Sequence, residues 1–560
     1  MTSIYAKPKT MPFHRYRAYE PVRLKDRTWP DAVIDQAPAW CSVDLRDGNQ
    51  ALIDPMTVSE KKRLFATLCE IGFKEIEIGF PAASQTDFDF TRALIEENLI
   101  PDDVTVQVLT QARPELIEET FKSLKGARRA IVHLYNSTSE LQRRVVFELD
   151  KQGIKKIATD GAKLVRQFAD DAPETEWVYQ YSPESFTGTE LDYAVEVCEA
   201  VMDVFEPTPR HKMIVNLPAT VEMASPNIYA DQIEWFCRAI KNRDALIMSL
   251  HTHNDRGTGV AASELGVMAG ADRVEGTLFG NGERTGNVCI VTLALNMMSQ
   301  GVDPQLDFSD IDHVAKVAVE CTKLPIPHRH PYVGELVYTA FSGSHQDAIK
   351  KGFAALKKRN DDMWEVPYLP IDPKDVGRSY EAVVRINSQS GKGGVAHILA
   401  DRHALDLPRA MQVHFSNVIQ EIGDATGREV DADTIWRVFQ ETYMTSKGRV
   451  VFRSCQVSSG AKICKIEADV LVDGKRQTVK GSGNGPIDAY ISALQSALGF
   501  RGSVSGFHEH AISTGSGAEA VAYIEMEAAD GSHAHGCFID SNTVTASLKA
   551  VTNAINNLGV

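Results

Sequence analysis

Residues 246–255 read LIMSLHTHND, and this segment shows the pattern that determines the fold. The apolar run LIMSL predicts a short buried strand, and polar residues gather at its carboxyl end. A segment with helical spacing follows. The same order recurs seven more times between residues 40 and 283. The other predicted strands are WCSVDLRDG (40–48), FKEIEIGFP (73–81), VTVQVLTQ (104–111), RAIVHLYNS (129–137), WVYQYSPES (177–185), HKMIVNLPAT (211–220) and RVEGTLFGNGE (273–283).

Strands that alternate with helices predict an α/β fold with a parallel sheet. Eight such units within one stretch of this length favour a closed (β/α)₈ TIM barrel over an open, doubly wound sheet. Barrel enzymes carry their active sites at the carboxyl ends of the strands. The polar residues of this sequence gather at those ends, so we expect a catalytic site there.

The alternation of strand and helix patterns stops after the barrel, and the sequence pattern predicts four regions along the chain. Residues 1–30 form an N-terminal extension and residues 31–305 the catalytic barrel. Residues 306–436 form a mainly helical connector with proline-rich breaks, in which residues 380–394 suggest a strand and a turn. Residues 437–560 are predicted to form a C-terminal α+β domain, to which the family resemblance given below assigns a regulatory role.

The C-terminal region contains a pseudo-repeat. The strands VVFRSCQVS, KICKIEADVLV and RQTVKGSG precede a helix at 486–499. The strands VSGFHEHAIS, AEAVAYIEMEA and GCFID then precede a second helix at 542–559. This order of strands followed by one helix occurs twice, and it predicts a compact α+β unit.

The charge balance limits the partners of the protein. The formal net charge of −16 disfavours a general nucleic-acid or anionic-membrane surface. An anionic ligand such as CoA would need a local basic patch, and one candidate is the set Lys350, Lys351, Lys357, Lys358 and Arg359. The alternative is a solvated helix face.

The cysteines and the N-terminus indicate the compartment. Nine cysteines are scattered without a Cys-x-x-Cys pair, which is typical of free thiols in a reducing environment. The first residues have no apolar core of a secretory signal, and no apolar run is long enough for a membrane helix. We therefore expect a cytoplasmic protein.

The pair His251 and His253 is the strongest chemical signal. Residues i and i+2 of a strand share a face, so both imidazoles point into the barrel mouth if Thr252 faces the helices. Strand one ends in DLRDG, where Asp44 and Asp47 flank Arg46. Closure of the barrel brings strand one close to strand seven, so Asp47 can meet both histidines. A turn or cap carboxylate is the alternative for Asp47.

The loop GNGERTGN (280–287) adds Asn281, Glu283 and Asn287 as further metal-ligand candidates, and residue spacing does not separate them. Two neutral imidazoles, a carboxylate and open coordination positions suit Mg²⁺, Mn²⁺ or Zn²⁺. Two other His-x-His pairs lack a nearby acidic strand end, and we expect exposed or structural roles for them. They are His328–His330 in the connector and His533–His535 in a predicted turn.

An open divalent site beside an arginine predicts the binding of a 2-keto acid through its carboxylate and keto oxygens. Arg46 would stabilise negative charge on the keto oxygen. Deprotonation of a carbon nucleophile needs a further acid/base group, for which Glu184 in strand five is the candidate. The glycine-rich runs GSGNGP (481–486) and SGKGG (390–394) lack the spacing and context of nucleotide-binding loops.

Several motifs together resemble one family. DLRDGNQALIDPM, YSPESFTGTE, HTHND and LFGNGERTGN are similar to segments of the 2-isopropylmalate synthases, which belong to a wider group with homocitrate synthase, citramalate synthase and hydroxymethylglutaryl-CoA lyase. SGSHQDAI, VPYLPIDP and NSQSGKGG resemble the connector of these synthases. SGNGPIDAYISAL and FHEHAIS resemble their C-terminal regulatory domain. The resemblance runs from about residue 10 to the C-terminus.

The resemblance implies a role for individual residues. It implies Asp47, His251, His253 and Asn287 as metal ligands, Arg46 as the oxyanion stabiliser and Glu184 as an acid/base. It places His133, Ser182 and Thr220 against the keto acid. It also implies that His345 and Tyr368 of the connector reach the barrel of a partner subunit in a homodimer. Residue spacing alone does not separate Tyr368 from Tyr380.

The resemblance further implies condensation of acetyl-CoA with 2-ketoisovalerate, hydrolysis of the thioester and inhibition by leucine. The effector site would contain Asn484, Gly485, Ile487, Phe507 and Ala511. An ordinary helix-capping turn and strand are the alternative for these segments. The rival functions are a sibling synthase acting on pyruvate or 2-ketoglutarate, and a non-catalytic leucine-responsive regulatory paralogue. The complete set of metal ligands disfavours the second rival.

Overall fold

The computed structural model describes residues 11–340, 342–359, 362–380, 393–426, 430, 432–445, 448–460, 463–513, 515 and 517–559. The chain divides into two compact units. The first contains Met1–Val337 and Ile371–Ser379, and the second contains Tyr338–Pro370 and Tyr380–Val560. The predicted connector at 306–436 is thus shared between the two units, and the predicted domain boundaries stay predictions.

The first unit contains a closed barrel of eight parallel strands in sequence order, which confirms the predicted fold class. Strand β1 pairs with both β2 and β8, for example Cys41 with Glu75 and Ser42 with Gly276, and this pairing closes the barrel. The strands are β1 Ala39–Ser42, β2 Glu75–Gly79, β3 Thr105–Gln111, β4 Arg129–Ser137, β5 Glu176–Glu184, β6 Met213–Ala219, β7 Leu246–Thr252 and β8 Arg273–Gly276.

Helices follow the strands and cover the barrel. They are α1 Val58–Ile71, α2 Gln85–Glu96, α3 Pro114–Leu124, α4 Glu140–Gln142, α5 Lys151–Asp170, α6 Leu191–Phe205, α7 Pro226–Ala239, α8 Gly259–Met268, α9 Ile290–Met298 and α10 Ile311–Thr322. Short 3-10 turns lie at Phe13–Arg15, Trp29–Asp31, Phe186–Gly188, Arg243–Ala245 and Pro373–Val376, and π-helical turns at Asp44–Gly48 and Arg143–Phe147.

Helix α1 shows how the sequence specifies these elements. Thr57 and Glu60 form a reciprocal capping box at its start, and Gly72 ends it in a left-handed conformation with φ +110°. Its buried positions include Leu64, Leu68 and Ile71, which lie three or four residues apart and form one face. Loss of such an N-terminal cap costs about 1 kcal/mol.

Strand β1 is shorter than the predicted strand at 40–48. It ends at Ser42, and residues 44–48 form a π-helical turn. Asp44 causes the chain to leave the sheet, because its carboxylate accepts hydrogen bonds from the Ser42 hydroxyl at 2.8 Å and from the Leu278 amide at 3.1 Å. The turn re-aims the next residues, so that Arg46 and Asp47 no longer alternate across a strand.

The second unit begins with helices and ends with the predicted pseudo-repeat. Its helices are α11 Gly343–Lys358, α12 Gly393–His403, α13 Arg409–Thr426 and α14 Ala432–Phe439, with a π-helical turn at Gln440–Met444. The C-terminal elements are β9 Val450–Ser459, β10 Cys464–Val472, β11 Lys475–Gly483, α15 Pro486–Leu498, β12 Gly502–Ala511, β13 Ala520–Ala528, β14 His533–Asp540 and α16 Thr543–Asn557.

Each repeat consists of a three-stranded antiparallel sheet followed by one helix, with sheet orders β11-β10-β9 and β12-β13-β14. The third strand of each repeat contains a glycine, Gly481 or Gly536, against which the following helix packs. A Cβ at either position would overlap a backbone carbonyl of that helix. The repeat predicted from the sequence is thus confirmed, and its helices lie unusually close to their strands.

One further prediction is wrong, and another cannot be compared because it falls outside the described residues. His533 and His535 lie in strand β14 and not in a turn, because their segment pairs with residues 525–527 of β13. The strand and turn expected at 380–394 fall outside the described residues, apart from Tyr380 and the first two residues of α12. Within the described part of the chain, no helix is both long and apolar enough to cross a membrane. All nine cysteines carry free thiols.

Candidate active site

Three predicted metal ligands converge at the carboxyl end of the barrel. Ligand atoms of Asp47, His251 and His253 all lie within 4.8 Å of one another, and all three residues are buried. The Nε2 atoms of His251 and His253 lie 3.2 and 3.7 Å from Oδ2 of Asp47. That oxygen is buried without an aligned hydrogen-bond partner. The three groups therefore point at a shared position, as ligands of one cation would.

Both histidines are oriented by their other ring nitrogen. Nδ1 of His251 lies 2.9 Å from a carboxylate oxygen of Glu275, and Nδ1 of His253 lies 3.2 Å from the carbonyl oxygen of Gly286. These oxygens only accept, so each Nδ1 carries the hydrogen and each Nε2 is left for a metal. Thr252 faces away, with its hydroxyl 2.7 Å from Ser263 on α8, as strand alternation predicts.

The loop after β8 offers Asn287 as a fourth ligand. Its Oδ1 is buried and has no hydrogen-bond partner among the residues that the structure describes. Its Nδ2 donates to the Asn281 carbonyl at 3.0 Å, and its backbone pairs with that of His253. The competing candidates Asn281 and Glu283 are less buried than Asn287. The Asn281 amide donates to the Gly48 carbonyl at 2.9 Å, and Glu283 accepts from Gln50 at an exposed position. These contacts favour Asn287.

Burial and neighbouring charges shift the pKa of each of the three ligands. Burial favours protonated Asp47, but Arg46 and the two histidines outweigh burial and hold the pKa of Asp47 well below its usual range. Burial lowers the pKa of His251, yet Asp47 and Glu275 raise it to about 9. Burial and then the neighbouring His251 lower the pKa of His253 to about 4. A bound cation would replace the proton that His251 holds.

Arg46 lies beside this cluster. Its Nε donates to Glu77 at 2.5 Å, and its Nη1 lies 3.3 Å from Oδ1 of Asp47. Burial alone would lower the pKa of Arg46, but the charges of Glu77 and Asp47 outweigh burial and raise that pKa above its ordinary value. The guanidinium therefore stays charged. The Nη2 group is used by neither contact.

A buried polar layer supports the site from below. Glu77 accepts from His133 at 2.7 Å as well as from Arg46. Nε2 of His133 lies 2.7 Å from the Ser182 hydroxyl, which also accepts from Asn216 at 3.0 Å. The predicted residues His133 and Ser182 are thus in contact, and both are almost fully buried.

Several members of this layer were missed by sequence reasoning. Glu275 accepts from His251, Arg273, Gln180, Gln107 and Asn216. Burial raises its pKa, but Arg273 and the histidines hold that pKa well below its ordinary value. The available signal was a charged residue within an apolar strand, as in KEIEIGF and RVEGTLF. A buried charge needs partners, so such residues predict a polar network.

Glu184 and Thr220 lie at the ends of β5 and β6. The Ser137 hydroxyl donates to the half-buried carboxylate of Glu184. The Thr220 hydroxyl accepts from the Ser185 amide at 2.9 Å, and Ser185 has a left-handed backbone with φ +60°. Thr220 therefore stabilises the turn that follows Glu184.

His345 and Tyr368 belong to the second unit. Their rings stack with centroids 4.0 Å apart, and Tyr368 is 62% exposed with φ +66°. Tyr380 instead packs against Phe353, and burial raises its pKa. The stack with His345 favours Tyr368 over Tyr380 as the functional tyrosine.

The effector candidates also lie in the second unit. Asn484 donates its backbone N–H to Asp488 at 2.9 Å, and Gly485 is the N-cap of α15. Ile487 packs partly on the core of the repeat, whereas Phe507 in β12 is 49% exposed and Ala511 ends that strand. The exposed aromatic ring of Phe507 is the feature of this set that could contact a ligand.

The remaining candidates are engaged in other contacts or are exposed to solvent. Asp44 fixes the turn after β1, and burial raises its pKa to about 6. His328 is exposed and pairs with Glu335 at 2.9 Å, and the His535 ring packs 5.4 Å from the His414 ring. In the basic stretch, Lys351 pairs with Asp347 at 2.6 Å on exposed α11. Lys350, Lys357 and Lys358 are exposed on the same helix.

The closed barrel and the cluster of metal-ligand side chains at its mouth indicate the class of metal-dependent barrel enzymes. Residues 37–318 match the HMGL-like family. Residues 335–400 match the alpha-isopropylmalate synthase post-catalytic domain-like family, and residues 429–559 match the LeuA allosteric (dimerisation) domain.

Curated relatives match the whole chain. The 2-isopropylmalate synthase of Rhodospirillum rubrum is 59% identical over 551 residues, covering 98% of this chain and 99% of its own. That of Parafrankia sp. is 59% identical over 557 residues, covering 98% of each. That of Mycobacterium ulcerans is 56% identical over 564 residues, covering 98% and 99%. The chain belongs to the 2-isopropylmalate synthase family, a group of acyl-transferring condensing enzymes.

Proposed function

We propose that the protein condenses acetyl-CoA with 2-ketoisovalerate and hydrolyses the thioester, which commits carbon to leucine biosynthesis. The observation that carries this proposal is the convergence of Asp47, His251 and His253 at the barrel mouth, beside the charged Arg46. The names of the relatives and the match to the LeuA domain support the same reaction.

The ligand set fits a divalent cation. One carboxylate, two imidazoles oriented through Nδ1, and an amide oxygen without a partner supply donors that suit Mg²⁺, Mn²⁺ or Zn²⁺. When bound there, such a cation would hold and polarise the 2-keto acid. His133 lies within β4, Ser182 lies near the end of β5 and Thr220 follows β6, and we assign all three to the walls of the keto-acid site.

Two residues of this chain carry the remaining chemistry. Arg46 stabilises the negative charge that develops on the keto oxygen as the new carbon–carbon bond forms. Glu184 is the acid/base. It takes a proton from the methyl group of acetyl-CoA, and the electron pair left on that carbon attacks the keto carbon. The oxyanion is then protonated, and water cleaves the thioester to release CoA.

The second unit contains the two residues that we assign to the contact between subunits. We assign His345 and Tyr368 to the active site of the partner subunit in a homodimer, supported by their exposed ring stack and by the match to a dimerisation domain. A cytoplasmic location is supported by nine unpaired thiols, which are typical of reducing compartments.

Release of the CoA thiol tests the reaction. We expect metal-dependent release from acetyl-CoA that is fastest with 2-ketoisovalerate and slower with pyruvate or 2-ketoglutarate, and that stops when EDTA removes the cation. A pocket distinguishes one methylene by only about 1–3 kcal/mol, so close analogues should show residual activity. Preference for another keto acid would contradict the substrate assignment, and release that is unaffected by EDTA would contradict the metal assignment.

Leucine should inhibit through the start of α15 and strand β12. A methyl group added at Gly485 meets no atom within 4 Å, so Gly485→Ala should fold normally. If leucine binds at this turn, the methyl group reduces the space for it and should raise the inhibition constant at least about tenfold, which is the effect of about 1.4 kcal/mol. The measurement is CoA release over a range of leucine concentrations.

Ser496→Ala, at an exposed position of α15, is the matched control and should leave inhibition unchanged. Gly485→Ala should also keep the uninhibited kcat, since it lies outside the barrel. Unchanged leucine inhibition in Gly485→Ala would remove this turn from the effector site.

A further inference from the structure

The segment at residues 19–31 precedes the region that matches the HMGL-like family, yet it is tied to the barrel helix α7. Arg27 donates two hydrogen bonds to Asp231, at 2.6 and 2.7 Å, and the Trp29 indole donates to the same carboxylate at 2.8 Å. Thr28 donates through its backbone and hydroxyl to Glu234. Both carboxylates are buried. The segment therefore has a fixed position on the barrel.

Tyr19 lies at the start of this segment and reaches the active-site face. Its hydroxyl donates to the carbonyl oxygen of Thr187 at 2.5 Å and accepts from the amide of Gln232 on α7 at 2.7 Å. The hydroxyl thus joins α7 to the loop between β5 and α6. Thr187 is itself buried, so its carbonyl depends on a protein donor.

The loop that Tyr19 contacts is the one that follows Glu184. Ser185 has a left-handed backbone with φ +60°, which a residue other than glycine adopts only when its surroundings hold it there. Thr220 accepts from the Ser185 amide, and the Thr187 hydroxyl donates to the Val221 carbonyl at 2.9 Å. These contacts hold the loop from the β6 side, and Tyr19 holds it from the outside.

We infer that Tyr19 is a positioning residue for Glu184 and that the N-terminal segment is part of the catalytic apparatus. This inference rests on the proposed acid/base role of Glu184. The hydroxyl of Tyr19 fixes the turn that sets the direction of the Glu184 side chain, while the metal ligands His251 and His253 are oriented by other contacts. The hydrogen bonds of the Tyr19 hydroxyl go to Thr187 and Gln232 and not to the side chains assigned to the keto-acid wall, so its loss should affect the proton-transfer step more than the binding of the keto acid.

Tyr19→Phe removes the hydroxyl and keeps the ring. We expect kcat for CoA release to fall about tenfold, because small displacements of a reacting group are costly. The KM for 2-ketoisovalerate and the affinity for the cation should change less than about twofold, which is the signature of an effect confined to the chemical step. Tyr16 is an exposed tyrosine in the same N-terminal region, so Tyr16→Phe is the control and should keep full activity.

A double-mutant cycle with Glu184→Gln tests the connection. If Tyr19 acts through Glu184, Tyr19→Phe should have no further effect on kcat in the Glu184→Gln background. Additive losses, or an unchanged kcat in Tyr19→Phe while Glu184→Gln is impaired, would overturn the inference. Full activity of Glu184→Gln alone would instead refute the acid/base role itself. Circular dichroism melting curves should be alike for all variants, and a loss of kcat that follows a loss of folded protein would also overturn the inference.

Discussion

Replacing His253 with alanine should abolish CoA release at ordinary metal concentrations and weaken cation binding by more than about 100-fold, since even changes to residues that only support a ligand cost 10- to 100-fold. The reason is geometric. Nε2 of His253 points toward the same position as Oδ2 of Asp47, and its Nδ1 is fixed by the Gly286 carbonyl. The metal content of the purified protein and kcat over a series of metal concentrations provide the measurement.

The chain contains its own matched control for this variant. His328 belongs to another His-x-His pair but is exposed, and its side chain pairs with Glu335. His328→Ala should therefore retain both the cation and full activity. If His253→Ala kept one tightly bound cation per chain and a normal kcat, the metal site would have to be placed elsewhere.

Replacing Arg46 with lysine should lower kcat by about 10²- to 10³-fold, the range found when one donor to a developing oxyanion is removed. Lysine preserves the charge but not the planar fork that lets Arg46 contact Glu77 and Asp47 at the same time. The ligand atoms stay in place, so the cation should remain bound. Steady-state kinetics together with metal analysis would separate these two effects.

Arg63→Lys serves as the comparison, since Arg63 forms only a surface ion pair with Glu320. It should change neither kcat nor metal content, because exposed ion pairs contribute at most about 1 kcal/mol. A normal kcat in Arg46→Lys would show that a simple positive charge is sufficient at this position. Loss of the cation in that variant would assign Arg46 to holding Asp47 and not to the oxyanion.

The barrel could be predicted from the sequence because its signal is local. An apolar strand such as LIMSL and the helix that follows it show their periodicity within one short stretch, and eight repetitions leave few topologies. The convergence of Asp47 with His251 and His253 was predictable for a related reason. The carboxyl ends of parallel strands meet at one face, and closure joins β1 to β8.

Other features depended on contacts between distant parts of the chain. The turn at Asp44–Gly48 forms because Asp44 meets the amide of Leu278, more than two hundred residues away. Asn287 and Asn281 have the same side chain within one loop, and Nδ2 of each donates to a backbone carbonyl. Burial separates them: Asn287 is buried and its Oδ1 has no partner among the described residues, whereas Asn281 is only half-buried. No residue spacing contains that information.

The sequence by itself determined the α/β barrel, the C-terminal repeat and the residue types of the metal site, because strand and helix periodicity and strand-end chemistry are set by neighbouring residues. Only the tertiary structure decided that Glu275 orients His251, that Glu77 holds Arg46 and that Tyr19 contacts the loop after Glu184. These pairs are distant along the chain or face each other across the barrel. They meet because burial requires each charged or polar group to find a partner, and the folded barrel determines which partner is within reach.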